Sequence, residues 1–143
     1  MTADTARALS RFSRVFVIDD NSYDNEYATI VLGRAGFGDR VQVFLDGQSA
    51  LRELTSATYA DPVLILVDIK MPGIDGFEFA RRLAQQEILP ELTVVILTSS
   101  PDPTDLQTAG TIPIIQHYLS KPLRVPLLAD LLTRDLPAAG RPR

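Results

Sequence analysis

With 143 residues the chain can bury one full core but hardly a second, and 45% hydrophobic with 22% charged residues is the composition of an ordinary globular domain. A net charge of -4 without any cluster of Lys or Arg excludes a general nucleic-acid binder, which must neutralise phosphates. The absence of cysteine removes disulfides, thiolate metal sites and cysteine nucleophiles together. No apolar signal core follows Met1 and no run is long enough to cross a bilayer, so no membrane partner and a cytoplasmic location are expected.

In chain order, residues 1–13 carry no sustained apolar pattern and read as a short, loosely held leader. Val15 to Ile18 is a strand of the fully buried type, and it runs into the acids Asp19 and Asp20. Tyr27, Ile30, Val31 and Ala35 then recur at helical spacing, with Asn21 or Ser22 to cap the start and Gly36 to stop the end. Val41 to Leu45 reads as a strand, and Asp46-Gly47 turns it into a helix burying Ala50, Leu51 and Leu54.

Leu64-Ile65-Leu66-Val67 is the central strand, an unbroken apolar run that ends in the single carboxylate of Asp68. After the Asp75-Gly76 turn, Phe77, Ala80, Leu83 and Ala84 mark a third helix, ended by Leu89-Pro90. Thr93 to Leu97 is the fourth strand and closes in the hydroxyl run Thr98-Ser99-Ser100. A fourth helix starts at Pro101 to Thr104 and stops by Gly110 and Pro113, which makes it the shortest and weakest of the five. Ile114 to Leu119 is the last strand, before Ser120-Lys121-Pro122, and a final helix from Val125 to about Leu136 buries Leu127, Leu128, Leu131 and Leu132. Residues 137–143 read as a frayed, disordered tail.

Five strands alternating with five helices predict an α/β, doubly wound parallel sheet with helices on both faces. Ligands of such sheets bind at the carboxyl edge, where the sequence delivers Asp19, Asp20, Asp68, Thr98 and Lys121 from four strands. Each alone has a structural explanation, and Asp68 by itself could equally be a helix cap. Jointly they call for a chemical one. Carboxylates about 4 Å apart repel by roughly 4 kcal/mol at an effective dielectric of 20, so the cluster needs a counter-ion. An all-oxygen set without His or Cys selects a hard cation, and a small open site favours Mg²⁺ over Ca²⁺. Lys121 adds positive charge and the Thr98 hydroxyl can donate to an oxygen, so the site suits a phosphoryl group.

The acid pair Asp19-Asp20, Asp68 before Met71-Pro72-Gly73-Ile74-Asp75-Gly76, Thr98, and Tyr118 with Lys121-Pro122 resemble the motifs of the response-regulator receiver domain over about residues 14–136, with its stand-alone members nearest in pattern. The resemblance implies a flavodoxin-like, CheY-like three-layer sandwich with strand order 2-1-3-4-5 and a cis bond between Lys121 and Pro122. It further implies that Asp68 accepts a phosphoryl group from a histidine kinase or histidine phosphotransfer protein. Asp19, Asp20, Asp68 and the backbone carbonyl of Lys70 would hold Mg²⁺, Thr98 and Lys121 would bind the phosphoryl oxygens, and Thr98 with Tyr118 would form the switch. Such a chain is a phosphoacceptor in a phosphorelay rather than a conventional enzyme. With no effector domain in the sequence, output is expected through altered binding of another protein or onward phosphotransfer, and the resemblance allows a dimer through the fourth helix, last strand and last helix.

Two positions depart from the pattern. Lys70 stands two residues after Asp68, where it bears on dephosphorylation, and Gly110-Thr111-Ile112-Pro113 replaces the usual small-residue approach to the last strand. Two other readings remain open. A haloacid-dehalogenase-type Mg-dependent phosphatase needs an acid where Lys70 stands, and a receiver-like module that binds partners without phosphorylation leaves the intact Asp68, Thr98 and Lys121 unexplained.

Overall fold

The computed structural model describes residues 3–56, 61–86, 91–99 and 102–134. The elements run α1 (Ala3–Ser10), β1 (Arg14–Ile18), α2 (Ser22–Arg34), a 3-10 turn (Gly38–Arg40), β2 (Val41–Phe44), α3 (Gly47–Ser56), β3 (Val63–Val67), α4 (Gly76–Ala84), β4 (Leu92–Thr98), α5 (Pro103–Gly110), β5 (Ile115–Ser120) and α6 (Val125–Arg134). All strand pairs are parallel, in the order β2-β1-β3-β4-β5. The order and strand number are those expected, and the Lys121–Pro122 bond is cis.

Strand chemistry explains the layers. Side chains alternate across a sheet, so an unbroken apolar run feeds both faces. Phe16, Ile18, Ile65, Val67, Val94 and Ile96 join one core with residues of α3, α4 and α5, including Leu54, Phe79 and Leu83. Val15, Val17, Leu64, Leu66, Val95 and Leu97 join the other with Leu32 of α2 and Leu128 and Leu132 of α6. Burying one such side chain contributes about 1.5–3 kcal/mol, so β1, β3 and β4 hold the domain together. The edge strand β2 is only partly covered, and Leu45 beyond it is exposed.

Side-chain caps fix the helix starts. Asn21 accepts from the backbone N–H groups of Tyr23 and Asp24 at 2.9 and 3.1 Å, which starts α2. Asp46 accepts from Ser49 N at 2.7 Å at α3, and Asp102 from Asp105 N at 2.9 Å at α5. The pKa of Asp46 is lowered by the backbone and side-chain bonds from Ser49.

Four expectations need correction. Residues 3–12 are not a loose leader: α1 packs on α6, and Ala8, Leu9 and Phe12 are buried in the second core. Their spacing places them on one side of a single turn, too short a pattern to stand out beside the polar residues around it. Arg40 Nη1 donates to Phe12 O at 2.9 Å and Ser13 N donates to Pro62 O at 2.8 Å, tying the segment down further. In α2, Tyr27 and Ile30 are exposed and the inner face is Asn25, Ala28 and Leu32, because close approach to the sheet favours the small alanine. In α6, Leu127 is exposed and Ala129 is buried with Leu128 and Leu132. The Asp75-Gly76 pair is also more than a turn: Asp75 caps α4 by accepting from Glu78 N at 2.8 Å, and Gly76 is its first residue. The expected helix end at Leu89-Pro90, Ser100, Pro101 and the tail from 137 lie outside the described residues.

The buried position of Phe12 gives a direct test. Phe12→Ala should lower the unfolding free energy by about 3 kcal/mol in urea denaturation, as removal of a buried aromatic ring does. A loose leader would leave the midpoint unchanged.

Candidate functional site

Register assembles the site at the carboxyl edge. Ile18 pairs with Val67, so Asp19 and Asp68 leave adjacent strands at the same level, and Asp68 N donates to Ile18 O at 3.0 Å. The pairing of Thr98 with Ser120 sets Lys121 beside β4, where Lys121 N donates to Thr98 O at 2.8 Å. An irregularity at Val94 and Val95 shifts the β4–β5 register; without it Lys121 would stand one position away.

Lys121 organises the charges. Its Nζ donates to Asp19 Oδ2 at 2.5 Å, Asp24 Oδ2 at 2.8 Å and Asp68 Oδ2 at 3.1 Å, which accounts for all three ammonium N–H groups. The other oxygens of two acids are also held: Asp19 Oδ1 accepts from Asn21 N at 3.0 Å and Asp68 Oδ1 from Ile69 N at 2.8 Å. Below them the buried Asn25 donates through Nδ2 to Asp19 O at 2.7 Å.

Burial raises the pKa of Asp19 more than its bonds from Lys121 and Asn21 lower it. Burial also opposes the charge on Lys121, but hydrogen bonds to Asp19 and Asp24 outweigh it and hold the lysine pKa above its ordinary value.

Asp19, Asp24 and Lys121 line a cleft of about 380 Å³ together with Tyr27 and Ser99. Asp20 is exposed, Asp68 is half-buried, and one oxygen from each of Asp19, Asp20 and Asp68 lies within 4.8 Å of the others. Three carboxylates with no nitrogen or sulfur donor fit a hard divalent cation such as Mg²⁺. Lys70, two residues after Asp68, is exposed. Gly76 is required by close approach: a Cβ there would stand 2.2 Å from Asp68 O.

Thr98 is buried on the face of the sheet that also carries Ile96. Tyr118, paired with Ile96 on the neighbouring strand, is partly buried on that same face. Its hydroxyl is covered and has no hydrogen-bond partner among the described residues. Burial, then the charges of Asp105, Asp102 and Asp68, raise its pKa. All the residues singled out in the sequence therefore stand at one edge, Thr98 and Tyr118 on the opposite face of the sheet from the core beside α2.

Two members of the site were not anticipated. These are Asp24 and Asn25 in the first turn of α2, which the sequence reading did not single out. The available signal was spacing: one turn after Asp19-Asp20, a side chain of α2 is carried back over the strand edge.

Residues 15–133 match the response regulator receiver domain. The chain belongs to this family. It is 30% identical over 115 residues to the probable methanogenesis regulatory protein FilR2 of Methanothrix harundinacea, covering 76% of this chain and 72% of that one. It is 35% identical over 111 residues to the response regulator GacA of Pseudomonas protegens, covering 76% of this chain but 48% of GacA, so it spans about half of that relative. Among solved structures, a response regulator receiver protein from Dyadobacter fermentans has a TM-score of 0.76 at 31% identity, covering 87% of this chain and 98% of that one. A two-component response regulator from Cytophaga hutchinsonii has a TM-score of 0.70 at 31% identity, covering 87% and 96%. The fold is that of the CheY-like receivers. No helix among the described residues is long and apolar enough to cross a membrane.

Removing the ammonium tests the electrostatic account. Lys121→Met should cost about 2–3 kcal/mol at neutral pH without metal, since charged hydrogen bonds are lost and buried carboxylates face each other. An acid whose pKa is raised by folding binds more protons in the native state, so its destabilising effect grows as pH rises through that pKa. The variant's deficit should therefore shrink towards acid pH, and saturating Mg²⁺ should recover part of it. A deficit independent of both would contradict the account.

Proposed function

We propose that the chain is a phosphoacceptor of a two-component phosphorelay: Asp68 takes a phosphoryl group from a histidine kinase or histidine phosphotransfer protein, and the phosphorylated form binds other proteins differently or passes the group on. The observation that carries this reading is the half-buried Asp68 carboxylate held between the Lys121 ammonium and the cation-fitting acids Asp19 and Asp20. Family membership adds to it.

In the transfer, an Asp68 oxygen forms a new bond to phosphorus as the donor's P–N bond breaks, and the electron pair stays with the imidazole nitrogen. Preorganised positive charge is the chief contribution the protein makes to such a reaction. Lys121 exchanges its bond to Asp68 Oδ2 for a phosphoryl oxygen and needs little motion to do so. Asp19, Asp20, Asp68 and the Lys70 carbonyl would hold Mg²⁺, which when bound offsets the charge on the phosphoryl oxygens. The Asp68 side chain keeps part of its surface exposed, the access an incoming histidine needs.

Signal output in this reading starts at Thr98. A phosphoryl oxygen on Asp68 offers its hydroxyl a new acceptor, and movement of Thr98 changes the space beside Tyr118 on the same face of the sheet. The unpartnered Tyr118 hydroxyl has no bond to lose when the ring turns. Such a shift is driven only by differential contacts, here the Thr98 bond, and it would alter the surface of α5, β5 and α6, where a downstream protein or a second copy would dock.

Incubation with Mg²⁺ and a small phosphodonor, read by intact mass, tests the proposal. Asp68→Asn should abolish the added phosphoryl mass while retaining the melting temperature within a few degrees, because the amide keeps the shape but cannot attack phosphorus. Thr98→Ala should leave acceptance measurable and remove the change in hydrogen exchange that beryllofluoride produces in α5 and β5. Phosphorylation of the Asp68→Asn protein would overturn the assignment. Unmodified wild-type protein would favour a receiver-like module that works by binding alone.

A further inference from the structure

We infer that Asp24 is a positioning residue for Lys121, the anchor that keeps the ammonium aimed at Asp68 while its other two partners are engaged elsewhere. The inference rests on the phosphoacceptor reading above and extends it to a residue outside the acid pair, the acceptor and the switch.

The three partners of Lys121 are not equivalent. Asp19 and Asp68 belong to the group of acids whose oxygens lie within 4.8 Å of one another, and Asp24 does not. A cation in that group competes with the ammonium for the electrons of Asp19 and Asp68, and a phosphoryl group on Asp68 covers the oxygen that Lys121 now contacts. Asp24 faces neither change. Its Oδ2 accepts from Lys121 Nζ at 2.8 Å from the first turn of α2. Asn21, the cap of α2, also fixes Asp24, since its side chain accepts from Asp24 N at 3.1 Å. The anchor is therefore part of a capped helix end rather than a free surface acid.

A lysine side chain has four rotatable carbons and samples many positions unless its ammonium is held. With Asp24 in place, one N–H remains bonded throughout and the other two are free to exchange between carboxylates and phosphoryl oxygens. Without it, a cation-loaded site leaves Lys121 with weakened partners and a wider range of positions, and misplacement of a charge-stabilising group slows transfer. The local effect is on the aim of Lys121, not on its identity as the phosphoryl-binding group.

Two measurements on the full chain test this. In the first, Lys121 reactivity towards a small amine-acylating reagent is followed by peptide mass mapping, without and with saturating Mg²⁺. Asp24→Ala should raise that reactivity several-fold, most with Mg²⁺ present, and Asp24→Asn, which keeps an acceptor oxygen in the same place, should restore part of the protection. In the second, acyl phosphate formation from a small phosphodonor is timed at saturating Mg²⁺. Asp24→Ala should slow it about tenfold, Asp24→Asn less, with Mg²⁺ affinity from titration little changed in both. Unchanged Lys121 reactivity in the alanine variant would overturn the inference, as would a loss confined to Mg²⁺ affinity, which would make Asp24 only a distant negative charge. Should the alanine variant fold poorly, the isosteric asparagine variant carries the same comparison. If the wild type accepted no phosphoryl group, the proposed function would fall, and the labelling alone would still decide whether Asp24 holds Lys121.

Discussion

The ammonium of Lys121 bridges three carboxylates that come from the ends of two strands and the start of one helix. Acids this close, with Asp19 buried, would not coexist in a domain of ordinary stability without opposing charge. The lysine supplies it from β5, on the far side of the sheet order from β1, so the charge cluster closes only when β1, β3, β4 and β5 are all in register. The site is therefore complete only when the sheet is complete. The same arrangement is chemically poised, because a bonded lysine can exchange one carboxylate partner for a phosphoryl oxygen without losing the rest.

Sheet alternation then divides the work. Asp19 and Asp68 follow Val17 and Leu66, which face the core of α1, α2 and α6, and there Lys121 links them to Asp24. Thr98 follows Ile96, which faces the core of α3, α4 and α5, and there it shares a face with Tyr118. Under the proposed function, acceptance and readout would lie on opposite faces of one sheet, joined through the peptide where Lys121 N bonds to Thr98 O. Gly76 lets the start of α4 lie close against the Asp68 carbonyl, where any side chain would clash.

The strands of a parallel sheet and the acids at their ends were legible in the sequence because covered strands are apolar runs and the residue after each run is forced to the edge, whereas the strand order came from the resemblance to receiver domains. Residues 3–12 were not, since Ala8, Leu9 and Phe12 span about one turn and gain their meaning only from α6 beneath them. The inner face of α2 was misjudged for a related reason: Tyr27 and Ile30 are the more apolar side chains, but the small Ala28 permits close packing and takes the inner position. Asp24 was missed because its role depends on a lysine far along the chain. Periodicity reports which way a side chain faces, not which distant charge it meets.

The division of the acids into a cation group and a lysine anchor can be measured directly by carboxyl carbon chemical shifts during a Mg²⁺ titration. The account predicts saturable shifts at Asp19, Asp20 and Asp68, with a smaller change at Asp24. Shifts centred on Asp24, or none at Asp68, would contradict it.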